Sequence, residues 1–367
     1  MDRLSTKLAT LALLGSSAHA FRFLGRVNPS TQELSWPATG LAFSFNGTSA
    51  SVNLAAMWGT NSIEMVVDGG APIVTDNVVA SSIDTPTNLS EGYHTVEIRK
   101  KSEALYGSLY VGNVTAAAGG TLGEVAAPAT RIQIIGDSIS VGYGLDGTYP
   151  CVNSAALEDA PKTYGALTAQ NLSADYDIIA WSGKGLIRNY PTGEVDDTPI
   201  MPELWTRYGA NDADNSYTFP AADTPDIVVI NLGTNDFDYM LTNSSGQLYE
   251  ARDPLDPDTY TAALVNFTTT IQGHYPDAQF FITSSPLLSD GYPMTTDTQH
   301  TTQSNSIQAA VAEIGSNAHF VNFPTQDSSN NNIGCDYHPS AATHQSMAVI
   351  LTAAIEEAVP SLKGRRS

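Results

Sequence analysis

One serine of the chain follows a buried strand in a position that suits a nucleophile. Ser138 comes directly after the apolar run RIQIIGD, and Gly136 allows a tight turn into the next segment. Its hydroxyl would lie at the sheet edge beside its own backbone N–H, which could also donate a hydrogen bond to an oxyanion. The alternative is a helix cap, because Asp137 and Ser138 are both ordinary capping residues. The tripeptide alone favours the cap.

A histidine near the C-terminus could supply the base that a serine nucleophile needs. His338 lies in a loop just before a predicted helix, at the same sheet edge as Ser138, and histidine titrates in a suitable pH range. This position favours a catalytic base over a surface histidine. Asp336 is the candidate orienting acid, because residues two apart on an extended loop point to the same side. A backbone carbonyl could hold the ring instead, which would leave a serine–histidine dyad.

Two further polar segments could form an oxyanion hole with the Ser138 N–H. Gly183 or Gly185 could donate a backbone N–H, and Asn235 could donate from its side-chain amide. These are the donor types that a tetrahedral oxyanion requires. Turn geometry is the competing explanation for both glycines, and a turn or cap for Asn235.

The elements around these residues alternate between strands and helices. The apolar runs RIQIIGD, YDIIAWSG, DIVVINLGTND, AQFFITSSP and AHFVNF predict strands. Helices are predicted over 164–172, 260–274, 303–314 and 339–359, with Pro339 in the first turn of the last one. This order predicts a three-layer α/β domain whose parallel sheet is covered on both faces. Four polar clusters, at 136–138, 182–185, 233–236 and 336–339, follow strands of this sheet, and active sites of such folds lie at the carboxyl ends of the strands.

The first part of the mature chain is predicted to be all-β. The runs FRFLGRV, GLAFSFNG, SASVNLAAMW, SIEMVVDGG and GYHTVEIRK carry alternating apolar residues between turn signals. Short strands at this spacing suggest a sandwich or jelly roll. We therefore predict a β-sandwich domain over 21–120, a linker of small residues over 121–130, and the α/β domain over 131–367.

The N-terminus has the pattern of a secretory signal peptide. Residues 1–20, MDRLSTKLATLALLGSSAHA, combine a positive start, a short apolar run and a small-residue cleavage site. No stretch is long enough to span a bilayer, so a secreted chain without a membrane partner is expected. The two cysteines, Cys151 and Cys335, allow one intramolecular pairing. N-glycosylation sequons occur at Asn46, Asn88, Asn113, Asn171, Asn243 and Asn266.

The overall charge and the missing motifs exclude several classes of protein. Sixteen Lys and Arg stand against 38 Asp and Glu, and the net charge of -22 would repel nucleic acid. The chain has no HExxH, paired histidine ligands, cysteine cluster, P-loop or dinucleotide fingerprint, so no metal or cofactor is expected. The nucleophile elbow GxSxG of α/β-hydrolases is also missing. We expect a monomer.

Four ordered motifs make the chain similar to a known family. GDS, a glycine after the second strand, GTND and a late His-Pro resemble the blocks of the SGNH (GDSL-type) hydrolases. The segments HTVEIRKKSEALYG, WSGKGLIRNY, MPELW, VVINLGTNDF and GCDYHP resemble the family-2 carbohydrate esterases over nearly the whole mature chain. This resemblance implies a jelly roll joined to an SGNH domain that removes O-acetyl groups from plant cell-wall polysaccharides such as xylan and glucomannan. It also implies Ser138 as nucleophile and His338 as base, with Asn235 and one glycine in the oxyanion hole.

One position departs from the broader family pattern. SGNH enzymes usually place the acid three residues before the histidine, where this chain has Cys335. Asp336 is the nearest carboxylate, so the choice between a triad and a dyad stays open. The same layout implies a Cys151–Cys335 bridge that ties the loop after the first strand to the histidine loop and fixes His338.

Four aromatic residues are candidates for stacking on sugar rings. They are Trp181, Tyr190, Trp205 and Tyr239. Core packing is the competing explanation for each of them, above all for Trp181 at a strand end.

Two other functions stay open at this stage. A lipase or thioesterase of the same fold would need an apolar groove, whereas these loops are rich in Asp, Asn and Thr. A carbohydrate-binding protein without catalysis would not need Ser138, His338 and Asn235 together.

Overall fold

The computed structural model of the chain describes residues 20–194, 196–329 and 332–362. The predicted signal peptide lies outside the described residues, except for Ala20. Within those ranges, no helix is long and apolar enough to cross a membrane. The described chain forms an all-β domain followed by an α/β domain, which confirms the predicted fold class.

The first domain is a sandwich of two antiparallel sheets. Its strands are β1 (Arg22–Leu24), β2 (Glu33–Leu34), β3 (Gly40–Gly47), β4 (Ala50–Gly59), β5 (Ile63–Val67), β6 (Ile73–Thr75), β7 (Ser82–Asp84), β8 (Gly92–Lys100), β9 (Gly107–Ala116) and β10 (Thr121–Gly123). One sheet has the order β1-β3-β8-β5-β6, with β10 also paired to β3, and the other has the order β2-β9-β4-β7. Phe43 and Phe45 of β3 join Leu109 and Val111 of β9 in the core of this domain, because alternate residues of each strand face inward.

The segment between the domains is shorter than the predicted linker. Thr121–Gly123 pairs with Ser44, Phe45 and Asn46 as the antiparallel strand β10. The predicted start at 121 is therefore wrong by three residues, because pairing with β3 extends the sandwich through a stretch with little apolar periodicity. Only residues 124–130 run without regular structure into the second domain.

The second domain is built on a parallel sheet of order β12-β11-β13-β16-β17, whose strands are β11 (Arg131–Gly136), β12 (Asp175–Ala180), β13 (Ile227–Asn231), β16 (Gln279–Thr283) and β17 (Ala318–Val321). A separate hairpin joins β14 (Met240–Thr242) to β15 (Leu248–Glu250). The helices are α1 (Ser138–Val141), α2 (Tyr164–Asn171), α3 (Met201–Leu204), α4 (Thr234–Phe237), α5 (Pro257–His274), α6 (Gln299–Ile314) and α7 (Ala341–Ala358).

Helices cover both faces of this sheet, as predicted. Ile134 and Ile178 pack in the core that contains residues of α2 and α7. The next residues along the same strands, Ile135 and Ile179, pack in the core that contains residues of α5 and α6. Strands buried on both faces read as continuous apolar runs, which is why the sequence located them.

Three predicted helix starts differ from the observed ones. The helix α5 begins at Pro257, three residues before the prediction, because Asp256 caps it by accepting a hydrogen bond from the Thr259 N–H at 3.0 Å. The helix α6 begins four residues early, and α7 begins at Ala341. Ser340 is the N-cap residue of α7, so Pro339 lies just outside the first turn in which it was predicted.

The two domains share a packed interface. Trp36 of the first domain is fully buried in a core of the second, and its indole N–H donates to the Tyr208 carbonyl at 2.8 Å. The Arg26 guanidinium lies 3.7 Å from the centre of the Tyr217 ring and donates to the Arg207 carbonyl at 3.0 Å. The first domain therefore completes the apolar core of the second.

Candidate active site

Ser138 begins the short helix α1 at the carboxyl end of β11. Its neighbour Asp137 is the N-cap residue, and one carboxylate oxygen of Asp137 accepts from the Ile139 N–H at 3.0 Å. A Cβ on Gly136 would lie 2.0 Å from the Ser140 Oγ, so no larger residue fits before the turn. Asp137 therefore caps the helix, while the adjacent Ser138, although largely buried, lines the cleft at the strand end.

His338 contacts Ser138 directly. Its Nε2 lies 2.9 Å from the Ser138 Oγ, and its Nδ1 lies 3.1 Å from the backbone carbonyl oxygen of Asp336. The ring also packs against Tyr143, with 4.2 Å between the ring centres. Burial lowers the pKa of His338 to about 4, although the carbonyl contact and the nearby Asp336 charge act in the opposite direction. A neutral ring that donates from Nδ1 to the carbonyl leaves Nε2 free to accept the serine proton.

The carboxylate of Asp336 does not orient the imidazole. It accepts instead from the Tyr143 hydroxyl and from the Asn153 backbone N–H, each at 3.0 Å. The predicted carboxylate contact is wrong because Asp336 adopts a left-handed conformation, with φ 50° and ψ 39°, instead of an extended one. Its side chain therefore points away from His338 while its carbonyl faces the ring. The geometry is that of a serine–histidine dyad held by a main-chain oxygen.

Gly183, and not Gly185, lines the cleft beside Ser138. Gly183 has φ +78°, which favours glycine, and its N–H donates to no acceptor among the described residues. The Gly185 N–H is already bound to the side chain of Asn189 at 3.2 Å. A Cβ on Gly185 would also lie 2.0 Å from the Arg188 carbonyl oxygen. Of the two glycines, Gly183 is therefore the one whose N–H is available to an oxyanion.

Asn235 presents its amide to the same cleft. Its Nδ2 donates to the Lys184 carbonyl at 2.8 Å and makes a longer contact of 3.4 Å with the Asp137 carboxylate. The next residue, Asp236, is fully buried and accepts from the backbone N–H groups of residues 186–188 at 2.7 to 3.1 Å. This carboxylate joins the Asn235 helix to the Gly183 turn, and sequence reasoning missed it because GTND alone does not reveal its partners.

The cleft over Ser138 has a volume of about 560 Å³ and a rim rich in tyrosine. Of the four aromatic candidates, Tyr190 lines it, and the residue is 44% exposed. Three other tyrosines that the sequence did not single out also line it: Tyr143, Tyr292 and Tyr337. Tyr143 and Tyr292 lie on loops, and Tyr337 ends the single 3-10 turn Cys335–Tyr337. In such short segments the spacing of residues does not show which way a ring points.

Three of the predicted sugar-binding aromatics lie away from the cleft lining. Trp205 is fully buried, and its indole N–H donates to the Gln133 side chain at 2.8 Å. Tyr239 is buried with its hydroxyl 2.6 Å from the Asp297 carboxylate. Trp181 packs against the core that also contains Trp205. For Trp205 and Tyr239 the prediction is wrong, because core packing and a polar partner hold each ring. Trp181 is half-buried and is not among the residues that line the cleft.

The cysteines form a disulfide between Cys151 and Cys335. It links the loop after α1 to the residue before Asp336. Among the described residues no cluster of three or more His, Cys, Asp or Glu could hold a metal ion.

The six sequon asparagines differ in their exposure. The Asn171 side chain is half-buried and donates to Thr352 of α7 at 3.2 Å. The other five are exposed: Asn46, Asn88, Asn113, Asn243 and Asn266.

Comparison with known proteins agrees with this two-domain layout. Residues 23–127 match the family described as carbohydrate esterase 2 N-terminal, and residues 134–346 match the GDSL-like lipase/acylhydrolase family. A solved carbohydrate esterase family 2 enzyme plus carbohydrate binding domain from Corynascus thermopiles (Myceliophthora fergusii) is 54% identical, with a TM-score of 0.87. The match covers 93% of this chain and 99% of that one. The chain belongs to carbohydrate esterase family 2.

Two curated relatives extend the likeness within this family. An acetylxylan esterase / glucomannan deacetylase from Cellvibrio japonicus is 29% identical over 90% of this chain and 86% of its own length. A cellulase/esterase CelE from Acetivibrio thermocellus is 31% identical over 90% of this chain, which spans only 38% of that longer protein. As a carbohydrate esterase, this chain is a carboxylic ester hydrolase.

Proposed function

We propose that this carbohydrate esterase removes O-acetyl groups from plant cell-wall polysaccharides such as xylan and glucomannan through an acyl-enzyme on Ser138. The observation that carries the proposal is the 2.9 Å contact between the Ser138 Oγ and the His338 Nε2, beside Gly183 and Asn235. A nucleophile, a base and oxyanion donors within one cleft are the parts that acyl transfer requires.

Acylation begins with removal of the serine proton. His338 Nε2 accepts it as the Ser138 Oγ attacks the acetyl carbonyl carbon, and the carbonyl oxygen becomes an oxyanion. The backbone N–H groups of Ser138 and Gly183 and the Asn235 amide donate to this oxyanion. The oxyanion replaces the long 3.4 Å contact of Asn235 with Asp137 and leaves the 2.8 Å bond to the Lys184 carbonyl in place.

Collapse of the intermediate releases the sugar. The bond between the acetyl carbon and the sugar oxygen breaks, and the proton held on His338 Nε2 passes to that oxygen. A water molecule then gives its proton to the same nitrogen and attacks the acetyl group on Ser138. The bond between the acetyl carbon and the Ser138 Oγ then breaks, the proton on His338 Nε2 passes to that oxygen, and acetic acid leaves and ionises to acetate.

The proposed substrate class is supported by the cleft and by the relatives. The cleft is open and its rim combines tyrosine rings with polar side chains, which suits the apolar faces and hydroxyls of sugars. The name of the relative from Cellvibrio japonicus states activity on acetylxylan and glucomannan. A long acyl chain would instead call for an extended apolar groove.

Secretion is part of the proposal. It is supported by the signal-peptide pattern of residues 1–20, by the disulfide, and by five exposed sequon asparagines.

Acetate release tests the function directly. We expect the protein to release acetate from acetylated xylan or glucomannan, and Ser138→Ala to lose nearly all of this activity, because triad-type nucleophiles contribute about 10⁶-fold. The matched control is Ser140→Ala, which changes a buried serine two residues away.

The opposite result would favour a binding protein. In that case Ser138→Ala would match the parent, neither would hydrolyse a small aryl acetate, and both would be retained on an affinity gel of acetylated polysaccharide.

A further inference from the structure

A glutamate of the first domain reaches the oxyanion turn of the second. Glu103 lies in the loop between β8 and β9 and is fully buried. Its carboxylate accepts a hydrogen bond from the Ser182 backbone N–H at 2.9 Å. Ser182 directly precedes Gly183, which lines the cleft. The first domain therefore fixes the residue next to a proposed oxyanion donor.

The same glutamate is connected to the histidine loop. The Glu103 backbone N–H donates to the Glu158 carboxylate at 2.7 Å, and the other oxygen of Glu158 accepts from the Asn153 amide at 2.8 Å. The Asn153 backbone N–H donates to the Asp336 carboxylate at 3.0 Å. The carbonyl of Asp336 holds the His338 ring. One hydrogen-bonded path thus runs from the first domain to both sides of the Ser138 cleft.

This path is rigid at its origin. The buried Lys100 ammonium donates to the Ser102 carbonyl at 2.6 Å and to the Glu103 carbonyl at 2.9 Å, which fixes the loop. Burial lowers the pKa of Lys100 to about 7 and raises the pKa of Glu103 and of Glu158. Burying three ionisable groups together lowers the stability of the fold. Proteins keep such destabilising arrangements mainly at sites where function requires them.

We propose that Glu103 is a positioning residue for catalysis, through which the first domain sets the Gly183 turn and, by way of Glu158 and Asn153, the His338 loop. The proposal rests on the proposed function of the cleft. Oxyanion donors act only when they lie about 2.7 to 3.1 Å from the developing charge. A turn that loses its anchor at Ser182 would leave that range without any change in substrate-binding residues.

Two variants of Glu103 separate positioning from simple stability. Glu103→Leu keeps the size of the side chain and removes the acceptor for Ser182, whereas Glu103→Gln retains an oxygen that can accept the same N–H. We expect Glu103→Leu to lower kcat about 10- to 100-fold with little change in KM. The loss should be equal on aryl acetate and on polysaccharide, and Glu103→Gln should recover most of it. Rates are divided by the concentration of active sites titrated with a fluorophosphonate, so unfolded protein does not count.

The control is Glu64→Leu, which removes a buried glutamate of β5 that takes no part in this path. Hydrogen exchange measured by mass spectrometry gives a second readout that needs no substrate. We expect faster exchange over residues 182–190 in Glu103→Leu and not in Glu64→Leu. Parent kcat and parent exchange in Glu103→Leu would overturn the proposal.

Two further outcomes are informative. If Glu103→Leu does not fold, Asn153→Ala cuts the path nearer the surface, and a parent kcat in that variant would overturn the proposal for the histidine loop. If the parent itself releases no acetate from any acetyl ester, the proposed function fails. The hydrogen-exchange comparison then still decides whether Glu103 orders the Ser182 turn.

Discussion

At the residue scale, the surroundings of His338 determine the pH range in which it can act as a base. Burial lowers its pKa to about 4, so the ring stays neutral well below its ordinary range. A protonated ring cannot accept the Ser138 proton. The pH dependence of kcat/KM reports the pKa of the catalytic base in the free enzyme. We therefore expect kcat/KM to stay constant between neutral pH and about pH 5, and to fall as the pH drops through about 4. A pH profile with a stable aryl acetate measures this limb, and an acid limb near 6.5 would contradict the dyad environment.

Asp336→Asn is the matched variant for this prediction. Asparagine tolerates the left-handed backbone of this position, and the carbonyl that holds Nδ1 is unchanged. Loss of the negative charge removes an interaction that raises the pKa of His338, so the limb should move to lower pH. The plateau rate should change far less than the roughly 10,000-fold loss that follows replacement of the acid in a working triad.

The residues that the sequence located and those it missed differ in a physical way. Ser138 and His338 were found because strand ends and a helix start place them at one sheet edge. The contact of Asp336 was missed because a left-handed residue in a loop leaves no signal in residue type or spacing. Trp205 was misplaced because an aromatic ring suits a core as well as a sugar, and only the buried Gln133 partner distinguishes the two.

At the element scale, the loop that carries His338 is tied to the loop after α1. The Cys335 backbone N–H donates to the Gly144 carbonyl at 3.0 Å, and the Asp336 N–H donates to the Cys151 carbonyl at 3.1 Å. The disulfide joins the same two segments across 184 residues of sequence. These bonds leave the histidine loop little freedom to move away from Ser138.

Removing the disulfide should therefore affect both stability and rate. We expect Cys151→Ala/Cys335→Ala to lower the free energy of unfolding by about 5 kcal/mol in the chain-entropy model. We also expect a lower kcat, because His338 would be held less firmly. Denaturant titration and acetate release measure the two effects. The stability of the parent is measured both with the disulfide intact and after its reduction. A double variant as stable as the oxidised parent would refute the expectation.

The elements themselves show where sequence patterns lose information. Four of the five strands of the parallel sheet are almost wholly buried on both faces, and the edge strand β17 is buried at its two ends, so all five form apolar runs. Strands β2, β6 and β10 have only two or three residues each, and β6 is exposed. Their existence depends on pairing with a neighbouring strand, and no alternation can be recognised over so short a stretch.

At the scale of the whole molecule, acid has opposing effects on folding. The net charge of -22 destabilises the compact state, because like charges repel each other. Partial neutralisation of the carboxylates as the pH falls should therefore increase the stability of the fold. Buried neutral histidines act in the other direction. His344 of α7 is fully buried, its Nδ1 accepts from the Tyr164 backbone N–H at 3.1 Å, and burial lowers its pKa to about 3.

His344 therefore contributes stability that is complete above the pKa of the unfolded chain and is lost as the pH falls toward about 3. Between about 6.5 and that value the unfolded state binds one proton more at this residue, which corresponds to about 1.4 kcal/mol per pH unit. We expect His344→Asn, whose side-chain oxygen can still accept from Tyr164, to show a correspondingly smaller loss of stability in acid. Denaturant titrations from pH 7 to pH 4 give the slopes, with the half-buried His300→Asn as control. Equal slopes in the parent and His344→Asn would mean that the buried imidazole does not set the acid limit of the fold.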